Sequence, residues 1–350
     1  MRTILAGLAA ALMLAGCSSP APVSSPSTTP ATASPSESAT PAPESALALE
    51  KAYEQVITQV LPSIVQITTR VGLGSGIVYD TAGHIITNAH VVGEATEMQV
   101  SLATGGAARA AKLVASFRAG DLAVIKVDDP RGLRPARFAD SSKLRVGQIV
   151  LAMGNPLGLS GSVTNGIISA LGRTVQEPSN VTIANAIQTS AAINPGNSGG
   201  ALVSLSGEVV GIPTLAATNP DLGDSAAPGI GFAIPSNTAT DVAQQIIKDG
   251  KVTNTHRAAL GIRGTTVLGA DGQPAGVQVY SVIPGGAAAT AGIAAGDVIV
   301  SVNGTDTPTM AALAEVLAGL QPGDQAKVEV AKPDGTTATA TVTLGELQAD

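Results

Sequence analysis

The sequence predicts a mainly β protein, and three observations carry that expectation. Beyond Pro62 the chain reads as short β-branched runs separated by Gly, Asn and Asp, which argues for a barrel or sandwich and against alternating βαβ units. Its 350 residues leave room for about two cores, and 44% hydrophobic against 13% charged residues excludes a disordered chain. Three Phe, three Tyr and no Trp leave those cores to Val, Ile, Leu and Ala. The same scarcity, with a net charge of -7, argues against a partner of single-stranded nucleic acid.

In chain order, Met1-Arg2-Thr3 and the apolar stretch Ile4 to Gly16 have the form of an export signal, too short to span a bilayer comfortably. Its end, Leu14-Ala15-Gly16-Cys17, resembles a bacterial lipobox, so residues 1–17 are expected to be removed up to a lipidated Cys17. Cys17 is the only cysteine, which excludes a disulfide within the chain. Residues 18–45 are almost entirely Ser, Pro, Ala and Thr; they cannot bury enough apolar surface to offset ordering entropy and read as a tether.

From Ala46 to Leu61 the residues Leu49, Tyr53, Val56, Ile57 and Val60 recur at helical spacing, with Ser45 as N-cap and Pro62 closing the segment. Strands are expected at Ser63 to Arg70, Gly76 to Tyr79, His84 to Thr87, Met98 to Leu102, Leu122 to Val127 and Ile149 to Met153. More follow at Gly166 to Ala170, Ile183 to Gln188, Ala201 to Val203, Val209 to Pro213 and Gly231 to Ile234. Two six-stranded barrels would fit. The basic cluster Arg131, Arg134, Arg137, Lys143 and Arg145 reads as a solvated loop. A helix from Asn237 to Asp249 carries Val242, Ile246 and Ile247, and another from about Met310 to Leu320 presents Met310, Leu313, Val316, Leu317 and Leu320 on one face.

The chemistry concentrates in Asn194-Pro195-Gly196-Asn197-Ser198-Gly199-Gly200. A serine between glycines can turn its hydroxyl outward while neighbouring amides, here those of Gly196, Asn197 and Ser198, face a developing oxyanion. Serine needs a base, and His90 suits best of the three histidines: His84 follows a hairpin glycine and His256 sits in a polar linker. Asp121, directly before an apolar strand, suits the acid that fixes the imidazole tautomer; Asp128 and Asp129 are rivals at the far end of that strand. The order His, Asp, Ser is that of the chymotrypsin-like double β-barrels. No Gly-Lys-Ser/Thr phosphate loop, metal-binding His-Glu-x-x-His or paired-cysteine spacing is present, so neither cofactor nor metal is expected.

Together, Gly74-Ser75-Gly76, Thr87-Asn88-Ala89-His90-Val91-Val92, Asp121-Leu122-Ala123-Val124, Ala191 to Gly200 and Gly231 to Asn237 resemble the HtrA/Deg serine proteases, from about Ala46 to the carboxyl end. The resemblance implies a protease domain over 46–245, a linker over 246–257 and an α+β PDZ domain over 258–345. The PDZ marks are Leu260-Gly261-Ile262, Val282 to Ala288 and Ala295 to Gly304; it implies that amides of Leu260, Gly261 and Ile262 hold a peptide carboxylate. Ile193, Gly231 and Ala233 are implied to line a substrate pocket without an acid, suited to a small or medium aliphatic residue. Ser190 stands where the family commonly carries Asp. Further implications are unfolded polypeptide substrates, a homotrimer and a lipid-anchored place outside the cytoplasm. A silent protease domain serving as a chaperone-like holdase, or a scaffolding lipoprotein, are the rival readings.

Overall fold

The computed structural model describes residues 43–155, 161–176, 181–194, 196–219 and 225–348. The expected signal segment with Cys17, and nearly all of the tether, lie outside the described residues. Helix α1 (Glu44–Val60) starts earlier than expected, so Ser45 lies within its first turn instead of capping it. Val56 and Val60 are buried, whereas Leu49 is exposed. Pro62 sits at the start of a 3₁₀ turn, where its missing N–H costs nothing.

Two closed six-stranded barrels follow. The first comprises β1 (Ile64–Thr68), β2 (Leu73–Val78), β3 (His84–Thr87), β4 (Glu97–Leu102), β5 (Arg109–Phe117) and β6 (Leu122–Val127), closed in the order β1-β2-β3-β6-β5-β4. The short helix α2 (Ala89–Val92) leaves β3. The second comprises β7 (Ile149–Gly154), β8 (Ser162–Gln176), β9 (Thr182–Thr189), β10 (Ala201–Ser204), β11 (Val209–Asn219) and β12 (Ser225–Pro235), closed as β7-β8-β9-β12-β11-β10. Strand β5 was not anticipated: its Ala-rich sequence lacks the β-branched run that marks the others, and it is held by pairing with β4 and β6.

The continuous apolar runs of the central strands follow from burial on both faces. On β6, Ala123 and Ile125 fill the first barrel, while Leu122 and Val124 join the core shared between barrels. On β7, Val150 and Ala152 fill the second barrel, and Leu151 and Met153 join the same shared core. The period of two thus divides each strand between its own barrel and the junction. Helix α3 (Ser236–Asp249) packs Val242, Ala243 and Ile246 into that junction. The helix runs unbroken past residue 245 and Ile246 is fully buried, so a linker beginning at 246 is corrected: the helix ends only at Asp249, and Val252 beyond it still belongs to the shared core.

The carboxyl-terminal unit has its own core, including Leu260, Val277, Ile299, Leu313, Val328 and Val342. Strand β13 (Ala258–Ala259) pairs with β20 (Gly345–Glu346). Strands β14 (Ile262–Leu268), β15 (Pro274–Val282), β16 (Val298–Val302), β18 (Gln325–Ala331) and β19 (Thr337–Thr343) form a sheet in that order, with β17 (Thr305–Asp306) beside β16. Helix α4 (Ala287–Thr290) precedes β16, and α5 (Met310–Ala318), capped by Thr309, lies against β14 and β15 and also near β8 and β9. Arg257, at the root of this unit, donates to the Ala119 carbonyl at 2.7 Å, and its burial pulls the guanidinium below the usual arginine range. Among the described residues no helix is long and apolar enough to cross a membrane.

Candidate active site

His90 is carried by α2, whose N-cap, Asn88, is extended. Asp121 ends a 3₁₀ turn in the left-handed region, with φ 51°. That conformation is uncommon outside Asn, Asp and Gly. Two contacts stabilise it: the Asp121 amide donates to Arg118 O at 3.0 Å, and Asn88 Nδ2 donates to the Asp121 carbonyl at 2.9 Å. One asparagine therefore starts the helix of the histidine and pins the backbone of the aspartate.

The Asp121 carboxylate is 2% exposed and lies 2.9 and 3.0 Å from His90 Nδ1. It also accepts from the His90 amide at 3.0 Å and, through Oδ2, from the Thr214 hydroxyl at 2.5 Å. Facing a carboxylate, Nδ1 carries the ring proton, which leaves Nε2 as the acceptor. Three of the competing residues are engaged elsewhere. His84 Nδ1 lies 2.6 Å from Asp80 in its hairpin, His256 Nε2 is 3.5 Å from Asp241, and Asp129 pairs with Arg131 at 2.7 Å.

Ser198 and His90 line one cleft of about 530 Å³, together with Ile193, Asn194, Thr214 and Ala216. Ser198 Oγ donates to the Thr214 carbonyl at 3.1 Å. The serine turn is packed against the first barrel: a Cβ on Gly199, at φ 78°, would lie 2.3 Å from Ser75 O and 2.5 Å from Thr87 Oγ1. Glycine is required there by both conformation and space.

The other expected positions separate. The Asn197 amide donates to Asn194 O at 3.0 Å, and its side chain spans from the Asn194 amide to the Ala192 carbonyl, so this amide braces the turn and does not face the cleft. As expected oxyanion donors, Gly196 and Ser198 remain. Ile193 lines the cleft and lies over Gly231, whose Cβ would come within 2.3 Å of Ile193 Cγ1. Ala233 is fully buried among Val210, Ile187 and Leu202 in the second barrel, and its placement in the pocket wall is corrected to core. Ser190 accepts the Ile167 amide at 3.0 Å, a task a carboxylate could also perform.

At the carboxyl-terminal unit, the Leu260 and Gly261 carbonyls accept from Ala288 and Ile283, both at 2.8 Å. In a trans peptide the N–H opposes the C=O, so the amides of Gly261 and Ile262 point away from those partners. The Ile283–Gly261 bond also makes Ile262 and Val282 a non-hydrogen-bonded pair, which turns Ile262 toward the open side of edge strand β14. Leu260 itself is 1% exposed, so its side chain belongs to the core.

Thr214, Asn88, Ser75 and Asn155 escaped the sequence reading. The bonds that tie them to the acid and the serine turn, directly or through Ser75, span 16 to 121 residues, and only Thr87-Asn88-Ala89 and Gly74-Ser75-Gly76 offered any signal.

Comparison with known proteins gives two matched families: a trypsin-like peptidase domain over residues 74–212 and a PDZ domain over residues 240–344. The serine protease Do-like HtrA of Lactococcus lactis is 39% identical over 296 residues, covering 79% of this chain and 72% of that protein. The periplasmic serine endoprotease DegP of Escherichia coli is 45% identical over 249 residues, covering 69% of this chain and 50% of its own length. The chain thus spans about half the length of the first curated relatives it matches. Among solved structures, a serine endoprotease from Yersinia pestis shares 35% identity at a TM-score of 0.57, covering 85% of this chain and 98% of that one. The HtrA-type protease AlgW with decapeptide shares 29% identity at a TM-score of 0.59, covering 85% of this chain and 99% of that one.

Proposed function

The chain belongs to the HtrA/Deg family of serine proteases, and we propose that it is an ATP-independent serine endopeptidase that cleaves unfolded or damaged exported polypeptides. One observation carries the reading: His90 is held by Asp121 at 2.9 Å in the cleft it shares with Ser198. Ser198 Oγ attacks the scissile carbonyl as its proton passes to His90 Nε2. That proton then goes to the leaving amine as the C–N bond breaks, and water hydrolyses the acyl-enzyme by the same route. Asp121 keeps the imidazole tautomer and stabilises the imidazolium. Amides of Gly196 and Ser198 receive the oxyanion, where each donor is typically worth about 10²- to 10³-fold in rate.

Ile193, lying over Gly231, favours a small or medium aliphatic residue before the scissile bond. A peptide carboxylate binds at Leu260-Gly261-Ile262 and the peptide adds as a strand along β14. Residues 1–17 act as an export signal, Cys17 carries the lipid, and the tether, ending at Pro43 where α1 begins, holds a homotrimer off the membrane outside the cytoplasm. Export accords with the periplasmic relatives.

Digestion of unfolded casein by wild type and Ser198→Ala, with fluorophosphonate labelling of both, tests the activity. Wild type should cleave and label, and the variant should do neither while keeping its fold. Proteolysis retained in Ser198→Ala would overturn the assignment. Mass spectrometry of the mature amino terminus tests Cys17: an unmodified terminus in the soluble fraction would refute the anchor.

A further inference from the structure

Ser75 lies outside the three-residue catalytic set, is fully buried on β2 of the first barrel, and has every polar group engaged. Its amide donates to Ser198 O at 3.0 Å, and its carbonyl accepts from Thr87 Oγ1 at 2.6 Å. Its hydroxyl donates to Gly196 O at 2.6 Å and accepts from the Asn155 amide at 2.8 Å. The backbone contacts need no particular side chain. The hydroxyl contacts do, and both reach into the second barrel.

We propose that Ser75 is a positioning residue for the oxyanion hole: its hydroxyl latches the Gly196–Asn197 peptide across the barrel junction. The proposal rests on the serine-protease reading above. The latched peptide is held from both ends, by Ser75 at the Gly196 carbonyl and by Asn194 O at the Asn197 amide. The two expected oxyanion donors, the amides of Gly196 and Ser198, lie in the peptide units on either side of this plane. The Asn197 carbonyl in the second of these units accepts from Gly200 at 3.0 Å, which directs the Ser198 amide the opposite way. Rotation of the latched plane would therefore displace both donors together.

The surroundings leave room for this contact and little else. A Cβ on Gly154 would fall 2.8 Å from Ser75 Oγ, 2.7 Å from Gly196 O and 2.5 Å from Asn197 Cα. Only glycine at 154 allows β7, β2 and the serine turn to meet. With Ser75→Ala, the Gly196 carbonyl and the Asn155 amide lose a buried partner, and the peptide is free to seek another. A displacement near 1 Å at reacting groups can cost about 10²-fold in rate.

The test uses the full chain with a peptide substrate and a peptide boronate, whose tetrahedral adduct places an oxygen in the oxyanion hole. Ser75→Ala should lower kcat about 10- to 100-fold. KM should stay within about twofold, and boronate affinity should weaken in proportion to kcat, because only the tetrahedral species uses the latched donors. Ser75→Cys supplies a second variant if alanine fails to fold. Sulfur fills the space, but its hydrogen bonds are too long and weak for a 2.6 Å contact, so the same split is expected. An unchanged kcat in either folded variant, or a loss carried by KM alone with boronate affinity intact, would overturn the latch. Failure of wild type itself to hydrolyse peptide or to label at Ser198 would instead overturn the protease reading.

Discussion

Thr214 donates its hydroxyl to Asp121 Oδ2 at 2.5 Å while its carbonyl accepts from Ser198 Oγ at 3.1 Å. One residue of β11 in the second barrel thereby touches the acid from the first barrel and the serine of its own. With Asp121 almost wholly buried, this hydroxyl supplies part of the solvation that water cannot. Thr214→Val keeps the shape and the carbonyl contact but removes the donor. A hydrogen bond to a charged group contributes about 1.5–3 kcal/mol, so kcat should fall about 10- to 100-fold. Steady-state kinetics with an unchanged kcat would show that Thr214 only packs.

Ile193 sets the depth of the cleft by lying on Gly231. Ile193→Ala should shift preference toward a larger residue before the scissile bond, raising the kcat/KM ratio of Phe to Val substrates by about tenfold or more. Because Ile193 is 7% exposed and also contacts the barrel core, stability should drop by about 2 kcal/mol, the low end for such truncations. An unaltered ratio in a peptide-library digest would place the pocket elsewhere.

Gly261 has φ 71°, yet a Cβ there would meet nothing closer than 3.8 Å. The obstacle to a side chain is conformational and not steric. Gly261→Val should remodel the turn and abolish binding of a hydrophobic-ended peptide, whereas Gly261→Asn, which tolerates the left-handed region, should retain most of it. Calorimetry with the free-acid peptide and its carboxyl-terminal amide makes the measurement. Equal affinity for the two forms would show that this turn does not read a carboxylate.

Asp80 provides a pH test of stability. Burial, its largest single influence, pushes its carboxyl up, but hydrogen bonds and charge from His84 together outweigh it and hold the group below the usual value. A carboxyl lowered on folding stabilises the protein above the unfolded value, about 3.9, and that contribution is lost as pH falls through the lowered folded value. Asp80→Asn should therefore reduce the urea midpoint at pH 7, and the gap from wild type should close toward pH 3. A gap that stays constant with pH would assign the effect to packing.

Activity should also fall with acidity for a separate reason. A general base must be unprotonated, so kcat/KM should decline on acidification as His90 takes up a proton. A flat acid-to-neutral profile would exclude histidine as the base.

Much of this molecule was legible in its residue order. The strand at His84 to Thr87 and that at Leu122 to Val127 have the expected ends because both are dense β-branched or aliphatic runs closed by polar turns. Strand β5 was not legible, since Ala-rich segments become strands only when flanking strands supply the pairing. The linker implied from 246 overlapped the helix expected over Asn237 to Asp249; the helix prevails because Ile246 reaches a core shared by two barrels, which its amphipathic stripe alone does not reveal.

Residue order by itself singled out the candidates for the chemistry: His90, Asp121 and Ser198 stand in motifs whose local turn and strand patterns are encoded within a few neighbours. Tertiary structure alone decided how those groups are held. Asn88 reaches Asp121, Thr214 reaches Asp121 and Ser75 reaches Gly196 over 33, 93 and 121 residues of chain. It also moved Asn197 into the brace of the turn and Ala233 into the core. The physical reason is that motifs arise from short-range conformational preference. Hydrogen-bond satisfaction and burial depend on which strands barrel closure brings within 3 Å, and no local pattern specifies that.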